Sequence, residues 1–461
     1  MLHSKKSFFS KITLIFILVA IIFTGINYQQ KIVHGEKLAN SPWPMYLGNP
    51  ERTGASTFPG AVEPQTVQER WEIEPMIGEL HESLLFGFTT VHAFSNNAQE
   101  NSAYVYSFTT IREPLDVCAI CERENWRWRI NGEYITNAPT LDVNGVLHFA
   151  TRNVNDTRGN FYAMYSSSAT YWKYETPSYV SGAPLLDQEG NVYFGDQEGT
   201  FTALDRKGKL LWEYKAHGAI KYSPMQKGNI IYFVTEDEEY NNTLYTINTD
   251  GKLLSENKIV QGITTSISLE NDIIYAGIKN KIYAMSVNDG KTLWDKDVTG
   301  RILSSITIGP KSLYVTTDDN KVFSLSKDGT INWTIDIKGD LAAPPVVDNT
   351  DIVFIGDASK KVYRINGTSG EIEWTQKVPG KVVTNIIIDA DGTLYGGTDS
   401  GGIVAIADKE THENIENLFK EQIKEKGKAP WWVTALAIVI GVLVLITLIF
   451  WIVTHFFFLF D

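Results

Sequence analysis

Apolar and polar residues alternate along most of the chain in short runs broken by Gly, Asp and Asn. A period of two with such punctuation predicts strands and tight turns. The runs also recur. "GNVYFGD" at 190, "NIIYFVT" at 229, "DIIYAGI" at 272, "SLYVTT" at 312, "DIVFIGD" at 351 and "GTLYGGT" at 392 share one pattern, and "SLLFGF" at 83 and "GVLHFA" at 145 are weaker copies. Their aromatic position falls at Phe86, His148, Tyr193, Tyr232, Tyr275, Tyr314, Phe354 and Tyr395, spaced 39 to 45 residues apart after a wider first gap. A further strand follows each, as in "FTALD" at 201 or "KVYRIN" at 361, then a turn with Asp-Gly or Ser-Gly. Such dipeptides supply the positive φ of tight hairpins. The next strand carries a Trp: Trp128, Trp172, Trp212, Trp294, Trp333 or Trp374, with Ser255 in the corresponding place of one unit.

Units of about 40 residues, each with four short strands, predict an all-β, eight-bladed β-propeller. Eight front strands are present, but only seven back strands follow them. The eighth front unit, "GTLYGGTDSGGIVAIAD", never reaches a Trp. The missing piece stands at the other end of the chain, where "VQERWEIEPMIGE" (67–79) aligns "ERWEIEPMIG" with "LLWEYKAHGA" at 211–220. Pairing of the N- and C-terminal strands therefore closes the ring, with Trp71 as the docking Trp of the shared blade. Closure removes the two raw edges that an open array would carry. The propeller is expected over residues 67–408, with a turn-rich lead-in at 41–66.

The flanks read differently. "ITLIFILVAIIFTGI" follows Lys5, Lys6 and Lys11, so residues 1–28 are a signal peptide or an uncut signal anchor. Residues 412–429 place Ile415, Leu418, Phe419 and Ile423 at helical spacing and read as a stalk. Residues 431–456 are apolar and long enough to span a bilayer. The expected architecture thus carries terminal transmembrane helices. The basic lead fixes the orientation, cytoplasmic membrane with the propeller on the extracytoplasmic side. Lys420, Lys424, Lys426 and Lys428 run against that rule, and are read as a stalk touching anionic head groups. A formal net charge of −13 argues against a nucleic-acid partner.

"ALDRKGKLLWEY", "AMSVNDGKTLWDK" and "RINGTSGEIEWTQ" resemble the tryptophan-docking repeats of the pyrroloquinoline-quinone-like (PQQ-like) β-propeller family, and "WPMYLGNPERTG" resembles the lead-in of many bacterial members. The resemblance covers roughly residues 41–408 and implies either a quinoprotein dehydrogenase using PQQ and calcium or a non-enzymatic scaffold. The alcohol dehydrogenases of the family carry an adjacent Cys-Cys pair, whereas the two cysteines here, Cys118 and Cys121, are separated by two residues. The assembly scaffold carries a lipidated Cys after its signal, and this chain has no Cys before 118.

Cys118 and Cys121 read as a local disulfide in an exported loop. A redox pair and a zinc site completed by His81 or His92 are the other uses of that spacing. The acidic runs at 235–242 and 316–321 lack an alternate-ligand calcium loop and read as solvated turns. His148 replaces an aromatic and reads as a packed core histidine. No phosphate loop, nucleophile elbow or His-Glu-x-x-His motif occurs. These features favour a membrane-attached, non-catalytic scaffold for proteins or envelope polymers, with no cofactor and with its partner site on the long rims at 94–102 and 110–125. A membrane-bound quinoprotein oxidoreductase using PQQ and calcium is the alternative.

Overall fold

The computed structural model describes residues 44–62, 64–66, 79–80, 84–86, 90–109, 124–165, 170–341, 343–399 and 402–408. They form eight antiparallel sheets arranged as the blades of a propeller, with no helix among the described residues. The predicted terminal segments (1–28, 412–429 and 431–456), Trp71, and Cys118 with Cys121 lie outside the described residues.

The third blade shows how the repeat becomes a blade. Leu185–Leu186, Val192–Gly195, Thr200–Leu204 and Leu210–Lys215 pair in that order from the axis outward. Ala203 faces Trp212 while Leu204 faces Leu210, so Leu211 is the extra residue of a bulge. The same bulge precedes Trp172, Ser255, Trp294, Trp333 and Trp374. A bulge re-aims the residue beside it, and here that residue is the Trp. Each ring leans on the second-strand aromatic of its own blade, as Trp212 does on Tyr193 at 5.9 Å and Trp333 on Tyr314 at 6.0 Å. Its Nε1 donates to a turn carbonyl of the next blade: Trp172 to Arg206, Trp212 to Thr249, Trp294 to Lys327 and Trp333 to Gly367. The turn glycine is required twice over. Gly251 has φ +85°, and a Cβ there would lie 2.7 Å from the Trp212 ring.

Blade four lacks the Trp but not the latch. Asn257, two residues beyond Ser255, donates its side-chain amide to the Asn288 carbonyl of blade five at 3.2 Å. The hydrophobic core is correspondingly divided into clusters between blades. One joins Tyr193 and Phe201 of blade three to Phe233 and Tyr245 of blade four.

The ring closes by pairing of N- and C-terminal strands. Pro64–Thr66 runs antiparallel to Ile403–Asp408, with Pro64 opposite Asp408 and Thr66 opposite Ile406. These three residues, counted with the lead-in from sequence, form the outer strand of blade eight. Ala61 stands where other blades have their turn carbonyl, and accepts the Trp374 Nε1 hydrogen bond at 3.3 Å. Blade eight then packs on blade one, since Val404 and Ile386 share a core cluster with Val91, Tyr104 and Tyr106.

Blade one departs from the sequence alignment. Phe86 lies on the innermost strand, Leu85–Phe86, and the front-strand place belongs to His92 of Thr90–Asn97. The displaced alignment reflects the long strands of this blade, which stretch the unit beyond the common period. On its outer strand the bulge puts Trp126 opposite Ser107, and Trp128 stands two residues further, opposite Val105. Trp128 nevertheless reaches the next blade, edge-on to Tyr162 at 5.8 Å.

Candidate functional site

The axis of a propeller is lined by its innermost strands, each a sheet edge with main-chain groups that need partners. Here the lead-in supplies them. The amides of Leu141, Gln226, Leu269, Ile308 and Val347 occupy equivalent places on five blades. They donate to the carbonyls of Pro44, Pro50, Glu51, Thr53 and Gly54 at 2.8, 3.1, 2.9, 2.7 and 3.3 Å. Successive lead-in residues therefore meet successive blades, winding round the axis. Met45 bridges Thr140, and Ala55 bridges Val347 in parallel. Thr57 then accepts from Asn349, and the Gly60 amide donates to Asp348 at 3.0 Å.

Arg52 is the centre of this plug. It has φ +60° and its side chain is fully buried. Its guanidinium donates to the carbonyls of Tyr46 (2.8 Å), Ala183 (3.1 Å), Pro184 (2.9 Å) and Pro224 (3.3 Å). Burial pulls its pKa down to about 9, with the Tyr46 hydroxyl acting the other way. It remains charged at neutral pH, held by carbonyl dipoles rather than by a carboxylate.

This arrangement bears on the cofactor that the resemblance implies. PQQ with calcium needs an open axial pocket with a cation site. At the plugged end the chain itself fills the axis, and the Arg52 fork is spent on main-chain carbonyls. Among the described residues no cluster of three or more His, Cys, Asp or Glu could hold a metal ion.

The acidic runs behave as turns. Asp237 accepts from the amides of Glu239 and Asn241, and Asp319 is bound by Lys321 and Thr317. His148 is buried beside Asp142, its Nε2 3.8 Å from the carboxylate, with its ring against Trp172. This is a core position, as its place in the repeat predicts.

The rim at 94–102, singled out from sequence, is built up in the structure. The second strands of blades one and two, Thr90–Asn97 and Val146–Asn153, are each 8 residues long, against 4 to 7 in the other blades. Short strands Glu79–Leu80 and Glu133–Ile135 pair with their far ends. Between the two blades lies a groove of about 810 Å³ lined by Glu79, Asn96, Gln99, Tyr134, Arg152 and Tyr179 among others. Asn96 fastens the blades together, exchanging two 2.8 Å hydrogen bonds with the backbone of Ile135. This groove lies beyond the start of the inner strands and the plug near their ends, so the two occupy opposite sides of the ring.

Sequence reasoning did not single out Arg52, Asn257 or Arg152. None sits on a periodic apolar pattern, and each acts through partners distant in the chain.

A family model of PQQ-like repeats, described as "Outer membrane protein assembly factor BamB", matches residues 157–254, 240–340 and 325–414, together more than half of the chain. The chain is 23% identical over 141 residues to the outer membrane protein assembly factor BamB of Moranella endobia, a stretch covering 27% of this chain and 36% of that protein. The match thus spans little more than a third of that relative's length. Among solved structures, BamB from Moraxella catarrhalis superposes with a TM-score of 0.56 at 16% identity, covering 76% of this chain and 98% of that one. A quinohemoprotein alcohol dehydrogenase from Comamonas testosteroni superposes with a TM-score of 0.60 at 12% identity, covering 81% and 82%. At these identities the likeness is one of fold, and it extends to enzymes and non-enzymes alike.

Proposed function

The chain belongs to the PQQ-like propeller family of that matched model, and from this premise we propose that it is a non-catalytic scaffold that holds partner proteins during assembly in the cell envelope. The observation that carries the reading is the plugged axis. Residues 44–61 of the same chain run along the inner strands at one end of the axis, anchored by Arg52. What remains open is the rims, and rigid rings with variable rims suit binding. The relatives named as assembly factors for outer membrane proteins support the same direction.

In this reading residues 431–456 attach the propeller to the cytoplasmic membrane from its outer face, with residues 1–28 as signal or second anchor. Partners are proteins of the envelope rather than nucleic acid, in keeping with the net charge of −13. The test is crosslinking in intact cells followed by identification of the captured proteins. Membrane or exported proteins are expected. Failure to capture any, together with dye reduction by the purified chain given PQQ and calcium, would replace the scaffold with the oxidoreductase.

A further inference from the structure

We propose that the groove between blades one and two binds a carboxylate carried on an extended peptide of a partner protein, with Arg152 as its anchor. The inference rests on the scaffold reading, since it names the chemistry by which a partner is held.

Arg152 differs from four other arginines of the ring. Arg129, Arg158, Arg301 and Arg364 each have a carboxylate within reach, at 3.3, 2.7, 3.4 and 2.6 Å. Arg152 is exposed and has no carboxylate partner among the described residues. Its guanidinium lies over two aromatic rings, 5.7 Å from the centre of Tyr134 and 6.0 Å from that of Tyr179. Stacking on a ring occupies the face of a guanidinium and leaves its edge of donors available. That edge matches a carboxylate bidentately.

The surroundings are fixed before anything binds. Arg152 is paired with Tyr134 across the sheet, and Tyr134 donates its hydroxyl to Asn101 at 3.1 Å. The Asn96 bridge sets the spacing of the two blades. Asn97 and Gln99 line the same groove and offer amide groups to a main chain. Glu79, on the other strand of the rim, is the one carboxylate lining it. With one guanidinium and one carboxylate in its lining, the groove of a chain of net charge −13 is poorly suited to a polyanion. The groove runs between the far ends of both second strands, where Asn96, Asn97, Thr136 and Arg152 line it and present polar groups to an extended chain.

The carboxylate could be a Glu or Asp side chain or a chain terminus, and a peptide set separates these. Fluorescently labelled nine-residue peptides with one central Glu are made with Gln counterparts, each with free and amidated C-termini. They are titrated by anisotropy against the full-length chain in mild detergent. Binding of Glu peptides about tenfold tighter than their Gln counterparts is expected, as one charge-assisted pair provides. Arg152→Gln removes this preference, Arg152→Lys keeps part of it, and Arg158→Gln leaves it intact, with melting temperatures unchanged throughout. A preference that follows only the free C-terminus supports the groove and assigns it a terminal carboxylate. No Glu-over-Gln or free-over-amidated preference, one that survives Arg152→Gln, or tighter binding of inorganic polyphosphate overturns the proposal. Partner capture in cells that is undiminished by Arg152→Gln overturns it too and leaves the scaffold reading standing.

Discussion

Replacing Arg52 by Ala tests whether the lead-in is a plug or merely lies near the axis. The substitution strips the donors from four carbonyls, those of Tyr46, Ala183, Pro184 and Pro224. With water entering the vacated space, each carbonyl loses about 1 kcal/mol, or about 4 kcal/mol for the four. Part of this is recovered, because the guanidinium no longer has to be dehydrated, the effect that pulls its pKa down to about 9. A net loss of about 2 kcal/mol follows. Domains of about 150–250 residues lose roughly 2–4 °C per kcal/mol and larger ones less, so a fall in melting temperature of about 2–4 °C is expected for this larger ring. The sharper assay is amide exchange. Leu141, Gln226, Leu269, Ile308 and Val347 are protected by lead-in carbonyls, and peptides covering them should exchange faster together in the variant. Unchanged melting and unchanged exchange at all five sites would show that Arg52 does not hold the plug.

The remaining expectations concern the blade latches and pH. Trp212→Ala removes both a ring contact and the bond to Thr249 and should destabilise by about 3 kcal/mol, read by chemical denaturation. Asn257→Ala should cost about 1 kcal/mol and Ser255→Ala about nothing, since only Asn257 reaches the next blade. Gly251→Ala should be as harmful as the Trp change, because the Cβ meets the Trp212 ring in a left-handed turn. Burial raises Tyr174, Tyr275 and Tyr363 to about 12, with Glu213, Glu270 and Asp357 respectively adding to it. The folded state thus favours the neutral phenols. Their stability is complete below pH 10 and is lost as pH rises from 10 to 12. Melting scans across that window should fall steadily, and a flat profile would contradict it.

The fold was legible because one repeat rule is applied over and over. Trp172, Trp212, Trp294, Trp333 and Trp374 each take the place that spacing assigned, since bulge, turn glycine and ring are local features with local signatures. Pairing of the chain ends was legible by subtraction, a back strand being one short, but the described closing residues, Pro64–Thr66, belong to the segment read as lead-in, and Trp71 lies outside the described residues. Where local signals thinned, the reading slipped. Phe86 falls on the innermost strand and not at the front-strand place, because the long strands of blade one shift its period. The plug left no trace in periodicity. "GNPERTG" reads as an ordinary turn, and only contacts across 131 to 172 residues make Arg52 a core residue.

The plug and the closing strand belong to one continuous segment, and this links two properties that the repeat alone would keep apart. Residues 44–54 satisfy the inner edges of five blades, and ten residues later Pro64–Thr66 completes the eighth. Between them Gly60 and Ala61 are clamped. The Arg364 guanidinium donates to both carbonyls at 3.2 and 2.8 Å, and Trp374 donates to Ala61. A Cβ on Gly60 would lie 2.4 Å from the Phe354 ring, so the chain passes through a gap that admits only its backbone. Pulling the plug therefore strains the clamp, and opening the clamp frees the strand that closes the ring. In a repeat protein, whose stability is otherwise a sum of neighbour terms, such a segment couples blades that never touch. The proposed binding groove accordingly falls on the rim away from the plug. The inner edges on this side are already spoken for, whereas the groove at Arg152 keeps one charged edge without a partner among the described residues.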